Sequence, residues 1–204
     1  MSTIDESGII TVTITGPERN LLNPEVMAAV EADLLAADAN PEVKAIIITG
    51  AGDAFCGGLD LAGIRAGGDP LEYAACLAKL LKVFPRLTKP VAAAVNGDAV
   101  ASGGSIAAAC DYAVIVDHAL IGSYEVSVGV WPMVAQVPLI HRIGTKRAME
   151  NIGSGNPFPA KRAWEVGLVN VVVKPAHLLE ATRQWLREAI RGGAANAGRV
   201  SFYE

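Results

Sequence analysis

Short apolar runs, each too brief for a core helix, set the first constraint on this chain. Val43–Thr49 is mostly β-branched and bounded by Gly50, and Pro90–Val95 is bounded by Asn96-Gly97. Such runs read as strands buried on both faces. Tyr112–Val116, Leu120–Gly122 and Leu168–Val173 also read as strands, and Ile9–Thr15 as a strand pair or bend. Helical segments lie between them. Asn23-Pro24-Glu25 supplies a cap, a proline in the first turn and an acid at the positive end of the dipole. Met27, Val30, Leu34 and Leu35 follow at helical spacing. Asp69-Pro70 opens a helix with Tyr73, Leu77, Leu80, Leu81 and Phe84 on one face, stopped by Pro85. Ser105–Cys110 reads as a small-residue helix; Val134–Ile143 and Lys146–Ile152 part at Gly144; Pro159–Glu165 closes at Gly167. Leu178–Ile190 turns Leu179, Trp185, Leu186 and Ile190 to a core, and Gly192–Glu204 is weakly patterned. Strands alternating with helices predict an α/β fold with largely parallel strands.

Composition narrows the function classes. Hydrophobic residues are 51% and charged ones 19% of the 204, which excludes a disordered chain. A net charge of −4 and a pI near 5.4 argue against nucleic-acid binding. No apolar run approaches the roughly 20 residues of a membrane helix. The start, Met1-Ser2-Thr3-Ile4-Asp5-Glu6, lacks the order of a signal peptide. Cys56, Cys76 and Cys110 are odd in number and far apart, with no zinc spacing. The expectation is a cytoplasmic protein with reduced thiols and no bound metal.

Four constellations bear on chemistry. Gly50-Ala51-Gly52-Asp53-Ala54-Phe55 follows a strand, but Phe55 stands where a dinucleotide fingerprint needs its third glycine. Cys56-Gly57-Gly58-Leu59-Asp60-Leu61 and Ala101-Ser102-Gly103-Gly104-Ser105 each lie just past a predicted parallel strand, where ligands of α/β folds bind. Two backbone N–H groups from such turns, converging on one oxygen, make an oxyanion hole; close packing alone also explains the glycines. Ser102 with His118 or His141 is a candidate hydrolase pair, without a full nucleophile-elbow motif. Glu125 is the only carboxylate between Ala119 and Leu139 and suits proton transfer if buried; a solvent-facing or paired glutamate is the plainer alternative.

These segments, in this order and spacing, resemble the crotonase superfamily, the enoyl-CoA hydratase/isomerase family, over residues 5–180. Lys44–Thr49 with Ala54–Leu61 is similar to its first oxyanion strand and loop. Lys89–Gly97 with Ala101–Ser105 and Cys110-Asp111 is similar to the second. Glu125–Gly129 with Pro132 resembles the catalytic-carboxylate segment, and Ala160, Ala163 and Gly167-Leu168-Val169 the helix and strand after it. The resemblance implies a spiral of ββα units in two roughly perpendicular sheets. It implies a CoA thioester whose oxygen sits between the N–H groups of Leu59 and Ser102, with Glu125 moving a proton. It places the CoA along Asn20-Leu21-Leu22 and Cys56–Leu61, so that Leu21, Cys56, Gly58, Asp60, Leu61, Gly103 and Ser105 border the substrate. Acyl-chain walls are expected from Ile64–Tyr73 and Trp131–Val137. No cofactor is required beyond the CoA of the substrate, and the family's homotrimers or hexamers are the implied assembly.

One departure bears on the reaction. Ser105 stands where hydratases of the family carry a second glutamate. One carboxylate suffices to carry a proton between C2 and C4, so isomerisation is favoured over hydration, with Ser105 a candidate to hold a water. A non-catalytic acyl-CoA-binding member is the alternative. Residues 1–177 are expected to form the spiral core and 178–204 the start of a shortened C-terminal helical region. A weakened oligomer and an exposed apolar patch would follow.

Overall fold

A computed structural model describes residues 4–204. The apolar runs pair side by side. β1 (Ile9–Ile14), β2 (Ala45–Gly50), β3 (Val91–Val95), β5 (Tyr112–Val116) and β8 (Val171–Val173) form a parallel sheet in the order β1-β2-β3-β5-β8. β4 (Ala99–Val100), β6 (Leu120–Gly122) and β7 (Phe158–Pro159) form a second, smaller sheet. The helices are the irregular turn α1 (Pro17–Asn20), α2 (Pro24–Ala39), α3 (Leu61–Arg65), α4 (Pro70–Leu81), α5 (Ser102–Ala109), α6 (Gln136–Ile152), α7 (Ala160–Glu165), α8 (Leu178–Ile190) and α9 (Ala194–Tyr203).

The chain twice passes from the large sheet to the small one and on into a helix, as β3-β4-α5 and β5-β6-α6. After β2 a single bridge from Cys56 to Ala99 stands in for the small-sheet strand, before α3. This is the expected α/β architecture of ββα units. The reason lies in β3, Val-Ala-Ala-Ala-Val, whose five residues are all fully buried. Its alanines admit α8, which packs across β2, β3 and β5. Trp185 of α8 stacks on Tyr112 of β5 with centroids 4.4 Å apart.

Several local readings shift. Residues 9–14 form one strand rather than a strand pair, in parallel register with β2. Leu34 is buried whereas Leu35 is exposed. In α8 the core stripe is Leu178, Thr182 and Leu186, and Leu179 faces out. The segments on either side of Gly144 join as α6 across a kink there. The weakly patterned tail forms α9, which is held by tertiary pairing rather than by periodicity. Arg199 is buried, donates from Nε to Asp111 Oδ2 (2.7 Å), and lies over the Tyr203 ring at 4.9 Å. Asp111 also accepts from Val91 N–H (2.7 Å) and Tyr203 O–H (2.5 Å). Replacing one member of a buried pair typically costs about 3–5 kcal/mol. Arg199→Leu should therefore lower unfolding stability by about 3 kcal/mol in urea titrations; a loss below about 0.5 kcal/mol would show that the pair does not hold α9.

Candidate active site

The first turn is stapled by two asparagines. Asn96, just after β3, accepts from Gly50 N–H (3.0 Å) and Thr49 O–H (3.1 Å) and donates to Gly52 O (3.0 Å). Buried Asn20 donates to Ala51 O (2.9 Å) and Ala54 O (2.8 Å). The segment beyond runs between two backbone partners. Cys56 bridges Ala99, and Leu59 bridges Leu22. Leu22 N–H donates to Gly58 O (2.8 Å), and Asp60 N–H to Leu22 O (2.9 Å). This ladder uses the groups on either side of Leu59, and the Leu59 N–H itself meets no acceptor among the described residues.

The second turn is strained. Ala101 has φ +53°, a region that costs a non-glycine residue about 1–3 kcal/mol. Its N–H donates to Gly122 O (2.8 Å), tying the turn to β6. Ser102 then opens α5, so its N–H has no partner within the helix and lies at the positive end of the helix dipole. The two turns touch. Val100 N–H donates to Cys56 O (3.0 Å), and a Cβ on Gly58 would lie 2.7 Å from Ala101 Cβ and 3.6 Å from Ser102 N. Two N–H groups without an acceptor among the described residues thus flank one backbone contact.

Glu125 opens a short 3-10 turn, Glu125–Val128, just after β6. It is half-buried, and its Oε2 accepts from Ser123 O–H (2.6 Å) and Tyr124 N–H (2.9 Å). Its Oε1 accepts from no described residue.

The other expected residues divide. Asp60 caps α3 by accepting from Gly63 N–H (2.9 Å), a structural use. Leu21 is half-buried, and its side chain lies beside Gly57. Leu61 is exposed at the start of α3. Gly103 packs against the Cys56 carbonyl. Two expectations change. Cys56 is fully buried, its N–H donates to Asp98 O (3.1 Å) and its carbonyl is taken by Val100, so it offers a substrate neither side chain nor backbone. Burial also pushes its thiol up to about 12. The Ser105 hydroxyl is buried and donates to Ala135 O (2.5 Å), which turns it toward α6 rather than toward a water. Ser102 Oγ bonds to no histidine among the described residues, so no hydrolase pair is assembled. Among those residues no acidic, histidine or cysteine cluster is placed to hold a metal, and no helix is long and apolar enough to cross a membrane.

A cleft of about 740 Å³ lies among α4, α5, α6 and α9. Of the expected walls, Met133, Val134 and Val137 line it, together with Leu81, Ala109 and Phe202; residues 64–73 do not. It opens at the Ala109 end of α5, about 10 Å from Ser102 at the helical rise. Met133 and Phe202 are exposed at its rim. The staples Asn20 and Asn96 stand in the motifs without announcing that role, because their partners lie in another turn.

Gly58 is constrained twice over, by its φ of +97° and by the nearness of Ala101. Gly58→Ala should cost about 1–3 kcal/mol in unfolding stability. Gly57→Ala, whose added Cβ would press on the end of the Leu21 side chain at 3.1 Å and meet Arg19 only at ordinary contact distance, should cost less than about 1 kcal/mol. Equal losses in the two variants would contradict this packing.

Known proteins resemble this chain in sequence and in fold. The family model "Enoyl-CoA hydratase/isomerase" matches residues 5–200. A putative enoyl-CoA hydratase of Thermus thermophilus is 33% identical over 198 residues, 94% of this chain and 78% of its own. A crotonyl-CoA hydratase of Syntrophomonas wolfei is 31% identical over 169 residues, 81% of this chain and 65% of its own. The chain spans only 27% of a glyoxysomal fatty acid beta-oxidation multifunctional protein of Cucumis sativus, to which it is 28% identical. The crystal structure of an enoyl-CoA hydratase from Mycobacterium smegmatis matches with a TM-score of 0.93 and 30% identity, covering 100% of this chain and 81% of that one. With its ββα units and a family match over nearly its whole length, the chain belongs to the enoyl-CoA hydratase/isomerase family of the crotonase fold.

Proposed function

We propose that this protein acts on an acyl-CoA thioester, holding an enolate oxygen between the N–H groups of Leu59 and Ser102 while Glu125 moves the proton. The observation that carries the reading is the pair of N–H groups on two joined turns that meet no acceptor among the described residues. Abstraction of a proton beside the thioester places negative charge on its oxygen. Each preorganised donor aimed at that oxygen is worth about 3–4 kcal/mol in the transition state. The helix dipole at Ser102 adds to this. Glu125 is joined to the second turn through β6, whose Gly122 carbonyl binds Ala101. The CoA moiety runs along the Leu21–Leu22 backbone and the Gly58–Leu61 segment.

Double-bond isomerisation is the favoured reaction. It needs one group to take a proton from C2 and return it at C4, and Glu125 can do both. Hydration needs a second group to fix water, and the Ser105 hydroxyl is committed to Ala135 O. Hydration is the second reading, favoured by the names of the relatives in Thermus and Syntrophomonas.

The test is turnover of a 3-enoyl-CoA and of crotonyl-CoA by the wild type and by Glu125→Gln. The wild type should turn over the 3-enoyl-CoA faster, and the variant should lose about 10²–10⁴-fold in kcat on both. Undiminished turnover by the variant would remove Glu125 from the mechanism. Faster hydration by the wild type would reverse the order of the two reactions. Tight acyl-CoA binding without turnover of either would favour the non-catalytic member instead.

A further inference from the structure

Asn151 lies on α6, on a face otherwise occupied by the buried apolar residues Ala148 and Ile152. It is fully buried, yet its amide is satisfied. Oδ1 accepts from Ser123 N–H (2.6 Å), and Nδ2 donates to Ser123 O (2.9 Å) and Asn156 O (2.8 Å). One side chain therefore reads both backbone groups of one residue, as a neighbouring strand would. The approach is close enough to require glycine before it: a Cβ on Gly122 would lie 2.5 Å from Asn151 Oδ1. Ser123, so held, is itself buried and donates a hydrogen bond from its hydroxyl to Glu125 Oε2 (2.6 Å). The same end of α6 supports the Glu125 turn a second time, where Gly155 packs against Ser127 N.

From this chain of contacts we infer that Asn151 is a positioning residue for Glu125, acting through Ser123, and that it leaves Oε1 as the oxygen that carries the proton. The inference rests on the proton-transfer role proposed above for Glu125. Oε2 is occupied by two donors, the Ser123 hydroxyl and the Tyr124 N–H. Two donors use the acceptor capacity of one carboxylate oxygen. Oε1 has no donor among the described residues, so the proton leaving carbon goes to Oε1 as the electron pair passes to the thioester oxygen. The same oxygen returns that proton to carbon as the enolate collapses. No oxidant, reductant or further reactant enters the step. A purely structural polar plug in the core would satisfy the Ser123 backbone and leave its hydroxyl elsewhere. Here the hydroxyl ends on the carboxylate.

The test is a double-mutant cycle read on steady-state turnover of a 3-enoyl-CoA and of crotonyl-CoA, with Ser123→Ala made in the wild type and in Glu125→Gln. Ser123→Ala removes the hydroxyl and leaves the Asn151 pairing to the backbone intact. Expected is a fall in kcat of about 10- to 100-fold with KM within about twofold, the size of a lost hydrogen bond to a charged group. In Glu125→Gln, where no carboxylate remains to be oriented, Ser123→Ala should cost no further activity. Asn151→Leu should lower kcat at least as much as Ser123→Ala, again with KM little changed, and wild-type kcat in it would overturn the role given to Asn151; if it does not fold, Asn151→Ala is read in the same way. Equal losses from Ser123→Ala in both backgrounds would overturn the inference, as would wild-type kcat in Ser123→Ala beside an impaired Glu125→Gln. That last pattern leaves the proposed function standing. Full activity in Glu125→Gln would instead remove the reading on which the inference rests.

Discussion

The hydrogen bond from Val100 N–H to Cys56 O joins two turns that come from different strands of the large sheet. Everything proposed for the site depends on it. It brings Gly58 against Ala101, and in doing so sets the segment carrying the Leu59 N–H beside the one carrying the Ser102 N–H. Neither N–H is left over by accident. The bridge to Leu22 consumes the groups on either side of Leu59, and the start of α5 strips Ser102 of a helical acceptor. A group left unpaired in this way offers a ligand oxygen a rigid donor.

The rest of the fold holds those turns still. Asn20 and Asn96 clamp the loop before Cys56 from two sides, through the carbonyls of residues 51–54. α5 is fixed at its far end as well. Arg142 donates from Nε to Ala108 O (2.6 Å), placing a cation at the negative end of the helix dipole. Beside it, Asp111 gathers Val91, Arg199 and Tyr203, so that β3 and α9 meet at the foot of the same helix. The strain at Ala101 persists because the structure around it is fixed at so many points.

What could be read from the chain follows from how local each cause is. β2 and β3 are legible because strands covered on both faces need unbroken apolar runs, and the start of α2 is legible because Asn23 caps it by accepting from Val26 N–H. Adjacent apolar pairs defeat a periodicity argument by one position. Leu34 and Leu35, or Leu178 and Leu179, differ only in which one the neighbouring layer covers. α9 was not legible, because its anchor is an ion pair to Asp111, 88 residues earlier. The two turns were visible as glycine-rich motifs, but not which groups inside them are already spent. Cys56 and Ser105 illustrate this: both stand in the motifs, and both give their polar atoms to partners that only folding supplies. Asn151 lies outside every motif, since its meaning depends on Ser123, 28 residues before it.

The convergence of the two N–H groups is tested most directly by a crystal structure of the protein with a non-reactive acyl-CoA thioester bound. The account predicts the thioester oxygen at about 3 Å from both the Leu59 and the Ser102 nitrogens. A thioester oxygen bound elsewhere, or bonded to the Ser102 hydroxyl in place of the two N–H groups, would contradict it.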